Sequence, residues 1–282
     1  MIIGEQLRVE IQRNVAAALA EDIGTGDLTA HLIPDSVQAR GRVITREPAI
    51  LCGCAWFDAA FAAMQPNALV TWHAADGDRL EAGQPICDII ATARNLLTAE
   101  RTGLNFLQLL SATASLTRSY VDAVAGTRAS IVDTRKTLPG LRLAQKYAVL
   151  VGGGVNHRIG LYDGILIKEN HIISAGGVRE VLATARRIVS GNAFIEIEVE
   201  SLAQLREALD AGARMVLLDN MDLDQMREAV HINAGRAELE ASGGVSLDMV
   251  REIAETGVDR ISIGGLTKNV RAIDLSLRHI EE

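Results

Sequence analysis

From Gly126 onward, short β-type runs alternate with helical patterns. ASIVDT, GILIK, FIEIEVE, MVLLDN, ELEASGG and RISIGG are separated by stretches such as VREVLATARRIV, LAQLREALDAG, DQMREAV and SLDMVREIAETG. A strand followed by a helix, repeated at short intervals, predicts parallel strands joined by right-handed crossovers. No GxGxxG follows the first strand, and polar residues recur where the strands end. A β/α barrel therefore fits better than an open dinucleotide-binding sheet. The pattern supplies about six or seven βα units, fewer than a closed barrel needs, so the expected fold class is α/β with an incomplete (open) α/β barrel. Composition agrees, because 48% hydrophobic residues with only 3% aromatics implies a core of Ala, Val, Leu and Ile, as in helix-covered parallel strands.

The earlier part of the chain reads differently. Leu7, Ile11, Val15, Ala18 and Leu19 fall on one face of a helix over about residues 5–20, which EDIGTGDLT then breaks. A β pattern from Val37 to Cys52, a helix over Ala55 to Met64 and a strand over Ala68 to His73 follow, then short strands punctuated by Asp76-Gly77 and Ala82-Gly83. This is a small α+β unit. A long helix is expected over about residues 95–124, with Leu97, Leu104, Leu107 and Leu110 near one face and SATAS offering small residues to a close neighbour. Glu100 and Arg101 are adjacent and point in different directions around that helix.

A chain of 282 residues with a net charge of −8 has room for one large domain and a smaller companion. The acidic balance argues against nucleic acid as the main partner, since binding phosphate backbones calls for a basic face. No run reaches the roughly 18 to 20 apolar residues of a membrane span, and the N-terminus has no basic segment leading into an apolar one. The expected location is the cytoplasm. Cys52, Cys54 and Cys87 have neither disulfide-like nor zinc-like spacing and read as reduced thiols.

Against that acidic balance, Arg135, Lys136, Arg142, Lys146, His157, Arg158, Lys168 and His171 crowd the stretch from Ile131 to His171. In a β/α barrel the chemistry lies where strands end and loops begin. Those ends carry Asp133, Thr134, Arg135 and Lys136; Lys168, Glu169, Asn170 and His171; Glu196, Glu198 and Glu200; Asp219 and Asn220; Ser242, Gly243 and Gly244; and Gly264 and Gly265. A mixed set of Arg forks and mobile Lys charges suits a ligand with several anionic groups. Strand alternation puts Glu196, Glu198 and Glu200 on one side, and with Asp219 they could hold Mg²⁺ beside a substrate phosphate; the competing reading is internal pairing with the cations. Glycine loops after the last two strands are where such barrels place phosphate, whereas Gly152 to Gly154 follow a helix and read as a flexible cap. No Ser-His-Asp or Cys-His set is present, so positioning and charge must carry the chemistry.

DTRKTLPGLR, GGGVNHRIGLYDGILIKENH, EIEVES, LLDN, ASGG and ISIGGLT, in this order, closely resemble quinolinate phosphoribosyltransferase, also called carboxylating nicotinate-nucleotide pyrophosphorylase; EDIGTGDLT and ERTGLNFLQLLSATAS match as well. The resemblance implies a type II phosphoribosyltransferase with an N-terminal α/β sandwich over residues 1–110 and the barrel over 111–267, a C-terminal helix over 268–282 packing back on the sandwich. It implies conversion of quinolinate and 5-phosphoribosyl 1-pyrophosphate to nicotinate mononucleotide, CO₂ and pyrophosphate, with Mg²⁺, in de novo NAD synthesis. By motif, Arg135, His157, Arg158 and Lys168 would surround the quinolinate carboxylates, with Thr134 beside them. Lys136, Glu198 and Asp219 would serve the sugar-pyrophosphate and its metal. Ser242, Gly243 and Gly244, with Ile263, Gly264 and Gly265, would hold the 5-phosphate. In a homodimer with shared sites, Glu100, Arg101 and Arg46 would come from the neighbouring subunit. The alternatives are a non-carboxylating relative acting on nicotinate, which needs fewer cations, and an accessory relative associated with molybdenum transport. A purely structural barrel would need none of these groups on one face.

Overall fold

A computed structural model describes residues 3–189 and 193–280. Along the chain it contains α1 (Glu5–Ile23), β1 (Gln38–Thr45), β2 (Ala49–Ile50), α2 (Cys54–Met64), β3 (Leu69–Trp72), β4 (Arg79–Leu80), β5 (Pro85–Thr92) and α3 (Ala93–Ala123). The alternating part follows as β6 (Ser130–Val132), α4 (Arg142–Val151), β7 (Gly164–Ile167), α5 (Glu169–Ala175), α6 (Val178–Ile188), β8 (Phe194–Val199), α7 (Leu202–Asp210), β9 (Met215–Asp219), α8 (Leu223–Asn233), β10 (Glu238–Ser242), α9 (Val250–Glu255), β11 (Arg260–Ser262), α10 (Gly265–Lys268) and β12 (Leu275–His279). No helix among the described residues is long and apolar enough to cross a membrane.

Two compact units divide the chain. One comprises residues 1–118, 138–153 and 268–282, the other 119–137 and 154–267. The segment 138–153, expected within the barrel, belongs to the first unit. Its helix α4 sends Ala144, Tyr147, Ala148 and Val151 into the same apolar cluster as Ile11 and Val15 of α1 and Trp56 of α2. That unit's main sheet is antiparallel in the order β12-β1-β5-β3.

The expected C-terminal helix over 268–282 is instead the short α10 followed by a strand, β12, which pairs antiparallel with β1 from Thr45↔Leu275 to Gly41↔His279. The reason is a period of two: Leu275 is buried and Leu277 packs on the core, while Ser276 and Arg278 alternate with them.

In the second unit the strands are parallel and ordered β6-β11-β10-β9-β8-β7. The sheet is an incomplete barrel, open between β6 and β7, the two strands between which the chain leaves for α4. Val216, Leu218, Ala241, Ile261 and Ile197 are buried in it, an aliphatic core of the kind the low aromatic content implied.

The small residues of SATAS have a definite neighbour. A Cβ added to Gly152 would lie 2.5 Å from the Ala114 carbonyl oxygen and 2.6 Å from Thr117 Cβ, so the end of α4 rests directly on α3. Gly152 is a packing residue, not a flexible cap. Gly152→Ala should therefore force the two helices apart and cost roughly 1–3 kcal/mol, read as a lower urea midpoint; an unchanged midpoint would contradict the close approach.

Candidate active site

Parallel register decides which side chains share the inner face of the open barrel. Glu198 lies beside Leu217, Leu217 beside Glu240, and Glu240 beside Arg260, a row crossing β8, β9, β10 and β11. Paired residues in parallel strands face the same side. One pleat further along, Asp219 lies beside Ser242. At the carboxyl ends of these strands is a cleft of about 190 Å³, lined by Thr134, Arg135, Lys136, His157, Arg158, Leu166, Lys168, Glu198, Leu217, Glu240, Ser242 and Ser262. A larger cavity of about 420 Å³ in the first unit is lined by Arg13, Glu21, Asp22, Phe106 and Leu141, among others, and does not gather several cations.

The floor of the cleft is acidic and dry. Glu196 and Glu240 are 0% and 1% exposed, so their carboxyl groups need partners. His157 Nε2 lies 2.7 Å from Glu196 Oε2, and Arg260 Nε donates to Glu240 Oε2 at 2.9 Å. His157 Nδ1 accepts the Arg158 backbone N–H at 2.8 Å. That assigns the ring proton to Nε2, where it is donated to Glu196. Both ring nitrogens of His157 thus serve the floor and the loop. His157, Glu196 and Glu240 converge closely enough to suggest a cation site, but a ring nitrogen that carries its proton cannot be a ligand. Burial and the neighbouring Glu196 push the Glu240 carboxyl up to about 7, against the pull of His157 and Arg260. Among the described residues, Glu196 Oε1 and Glu240 Oε1 have no hydrogen-bond partner.

The cationic rim hangs on this floor. Buried Asp133, just past β6, accepts the His157 backbone N–H at 2.8 Å and so grips the loop before β7. Asp163 accepts the N–H groups of Ile159 and Gly160, which shapes the rest of that loop. Arg158 Nη1 donates to the Gly164 carbonyl at 3.0 Å. Burial, and then the charge of Arg135, hold the Arg158 guanidinium below its ordinary pKa, as desolvation and a nearby like charge do to a cation. Lys168 is the N-cap of α5, with its own N–H bonded to His171 Nδ1, and its Nζ reaches Glu198 Oε2 at 2.5 Å. For Glu198 the competing reading, internal pairing of an acid with a cation, is what the geometry shows.

Lys136 lines the cleft as well, and the glycine loops follow β10 and β11, whose Ser242 and Ser262 line it. A Cβ on Gly264 would lie 2.7 Å from Lys136 Cδ, so the lysine stem runs close over this glycine. Thr267 Oγ1 donates to the Lys136 carbonyl at 2.9 Å. Gly243 and Gly244 have φ of 108° and 58°, which L side chains rarely adopt. Their loop does not run straight into a helix, since α9 begins only at Val250. Ile263 is buried, and Gly265 opens α10.

The acids separate by position. Glu198 lines the cleft, Glu196 lies beneath it, and Glu200 is exposed beyond the end of β8, so the row of carboxylates read from FIEIEVE is not one ligand set. Asp219 is half-buried at the end of β9. Glu240 and Arg260 carry the floor and were not singled out from sequence, although Glu238 and Glu240 alternate in ELEAS as the glutamates do in FIEIEVE. Arg46, Glu100 and Arg101 belong to the first unit. Arg46 and Arg101 are exposed, while burial raises the pKa of half-buried Glu100.

An open parallel barrel with cations, carboxylates and glycine loops at its strand ends is the arrangement of a phosphoribosyl-transferring enzyme. Residues 27–111 match the family described as quinolinate phosphoribosyl transferase, N-terminal domain, and residues 113–278 its C-terminal domain. The chain belongs to the quinolinate phosphoribosyltransferase family. It is 43% identical over 273 residues to the nicotinate-nucleotide pyrophosphorylase [carboxylating] of Mycobacterium leprae, covering 93% of this chain and 95% of that one. It is 40% identical over 257 residues to the probable enzyme of that name from Bacillus subtilis, covering 91% and 89%. The solved nicotinate-nucleotide pyrophosphorylase of Francisella tularensis superposes with a TM-score of 0.94 at 44% identity, covering 97% of each chain.

The buried floor predicts a pH dependence of stability. A carboxyl whose pKa rises on folding stabilises fully below its unfolded value near 4.5 and loses that contribution as pH climbs through about 7. Wild type should lose stability between pH 5 and pH 7.5 relative to Glu240→Gln, compared by urea midpoints; parallel curves would contradict it.

Proposed function

We propose that this cleft is where the chain, as a quinolinate phosphoribosyltransferase, joins quinolinate to 5-phosphoribosyl 1-pyrophosphate, yielding nicotinate mononucleotide, CO₂ and pyrophosphate for NAD biosynthesis. The observation that carries this is the meeting of Arg135, Arg158 and Lys168 at one cleft. Quinolinate has two adjacent carboxylates, and two guanidinium forks with a mobile ammonium match them. Nicotinate, with one carboxylate, would offer this set of three cations only one anionic group. In this reading Arg135 and Arg158 read the carboxylates with Thr134 at the edge, and His157 braces Arg158 from below.

Lys168 and Glu198 are paired before substrate arrives. A quinolinate carboxylate competes for Lys168 and leaves Glu198 free to face the ribose. As pyrophosphate departs, positive charge develops at the ribose C1, and the negative charges of Glu198 and Asp219 favour it. Lys136 meets the pyrophosphate, while Ser242, Gly243 and Gly244 with Ile263, Gly264 and Gly265 hold the 5-phosphate. The pyridine nitrogen attacks C1 as the C1–O bond to pyrophosphate breaks; the bond from ring C2 to its carboxylate then breaks to release CO₂, and the electron pair left on C2, stabilised by the cationic ring nitrogen, takes a proton from water.

Mg²⁺ would fit the donor set, because Glu198 and Asp219 offer hard carboxylate oxygens on the same face of adjacent strands. Bound there, it supplies charge that helps pyrophosphate leave. The site is completed in a homodimer, with Glu100 and Arg101, and Arg46 likewise, contributed by a second subunit; the exposure of Arg101 on α3 supports this. Free thiols at Cys52, Cys54 and Cys87 are consistent with work in the cytoplasm.

Arg135→Ala should weaken quinolinate binding by roughly 2–5 kcal/mol in titration calorimetry; an unchanged affinity removes Arg135 from the site. Mixing Arg101→Ala subunits with Arg135→Ala subunits should restore part of the activity lost in each. A mixture as inactive as its components would argue for self-contained sites.

A further inference from the structure

Asn220 is not part of the charged set, yet its geometry is unusual. Its φ is 53°, and only one other described non-glycine residue, Ala234, has a positive φ. Asparagine tolerates this left-handed region better than most residues, but it remains a strained choice, and strain of this sort collects at functional sites. The conformation turns the chain sharply out of β9. From there the Asn220 backbone N–H donates to the Ser242 carbonyl at 3.0 Å, tying the end of β9 to the start of the glycine loop after β10. Its side-chain Nδ2 donates to Asp219 Oδ2 at 2.9 Å.

The other end of the amide is fixed by what is missing beside it. A Cβ on Gly243 would lie 2.2 Å from Asn220 Oδ1 and 3.1 Å from Asn220 Cα. Gly243 is glycine both for its φ of 108° and because the Asn220 amide fills the space a side chain would need. Asn220 therefore stands between a carboxylate and a glycine loop.

We propose that Asn220 is a positioning residue for the sugar-phosphate half of the site, locking the Asp219 carboxylate and the Ser242 to Gly244 loop into one rigid unit. The proposal rests on the reading of Asp219 and that loop given above. A donor fixed on one oxygen of Asp219 stops the carboxylate from rotating and leaves the other oxygen to face the ribose. Because the anchor is a neutral amide, it orients the acid without cancelling its charge, as a lysine would.

Asn220→Gly isolates the side chain, since glycine keeps the left-handed backbone without strain. Loss of a hydrogen bond to a charged group predicts roughly a tenfold or greater fall in kcat, a changed KM for 5-phosphoribosyl 1-pyrophosphate and an unchanged quinolinate affinity measured without the co-substrate. Gly243→Ala, which drives a methyl group into the same amide, should give the same signature. Combining Asn220→Gly with Asp219→Asn should cost no more than Asp219→Asn alone. A wild-type Asp219→Asn enzyme would overturn both the assigned role of Asp219 and this proposal. A slow Asp219→Asn enzyme with wild-type Asn220→Gly, with strictly additive losses, or with equal damage to quinolinate binding, would overturn the proposal alone.

Discussion

The rest of the site depends on the hydrogen bond between His157 and Glu196 beneath it. An inner barrel face carrying Glu196 and Glu240 cannot be dry without donors, because isolated buried carboxylates are costly. His157 supplies one from a loop 39 residues away in sequence, and Arg260 supplies another. Once the His157 ring is fixed, its second nitrogen accepts the Arg158 N–H while Asp133 holds the His157 N–H. Arg158 is thereby anchored to the acid floor by a continuous chain of bonds.

This floor also explains how a protein of net charge −8 can present a cationic cleft. The acids are below and the cations above: Lys168 meets Glu198, while burial, and then the nearby charge of Arg135, lower the pKa of Arg158. An anion entering the cleft relieves that repulsion. Pre-arranged charge of this kind needs no rearrangement at the moment of reaction.

Much of this was legible in the sequence because strand ends carry the chemistry in such folds. Arg135, Lys168, Glu198 and Asp219 could be placed from a strand–helix alternation alone. Glu240 was missed although ELEAS carries the same alternation as FIEIEVE, since its importance comes from His157 and Arg260 folding onto it, which no local pattern encodes. Segment 138–153 looked like part of the barrel because an amphipathic helix does not say which core it will join. The tail read as helix until its pairing with β1 made its period of two decisive. Asn220 was visible only as a strand-end residue of LLDN; its left-handed backbone and its close approach to Gly243 after the next strand are not encoded in any local pattern.

A cleft with this arrangement of cations should bind both carboxylates of quinolinate and release one of them as CO₂. Purified protein should be given Mg²⁺, 5-phosphoribosyl 1-pyrophosphate and quinolinate labelled in its 2-carboxylate, with released CO₂ counted against nicotinate mononucleotide. The two should appear mole for mole, and nicotinate should be a far poorer substrate. Efficient turnover of nicotinate, or binding of neither substrate, would contradict this reading.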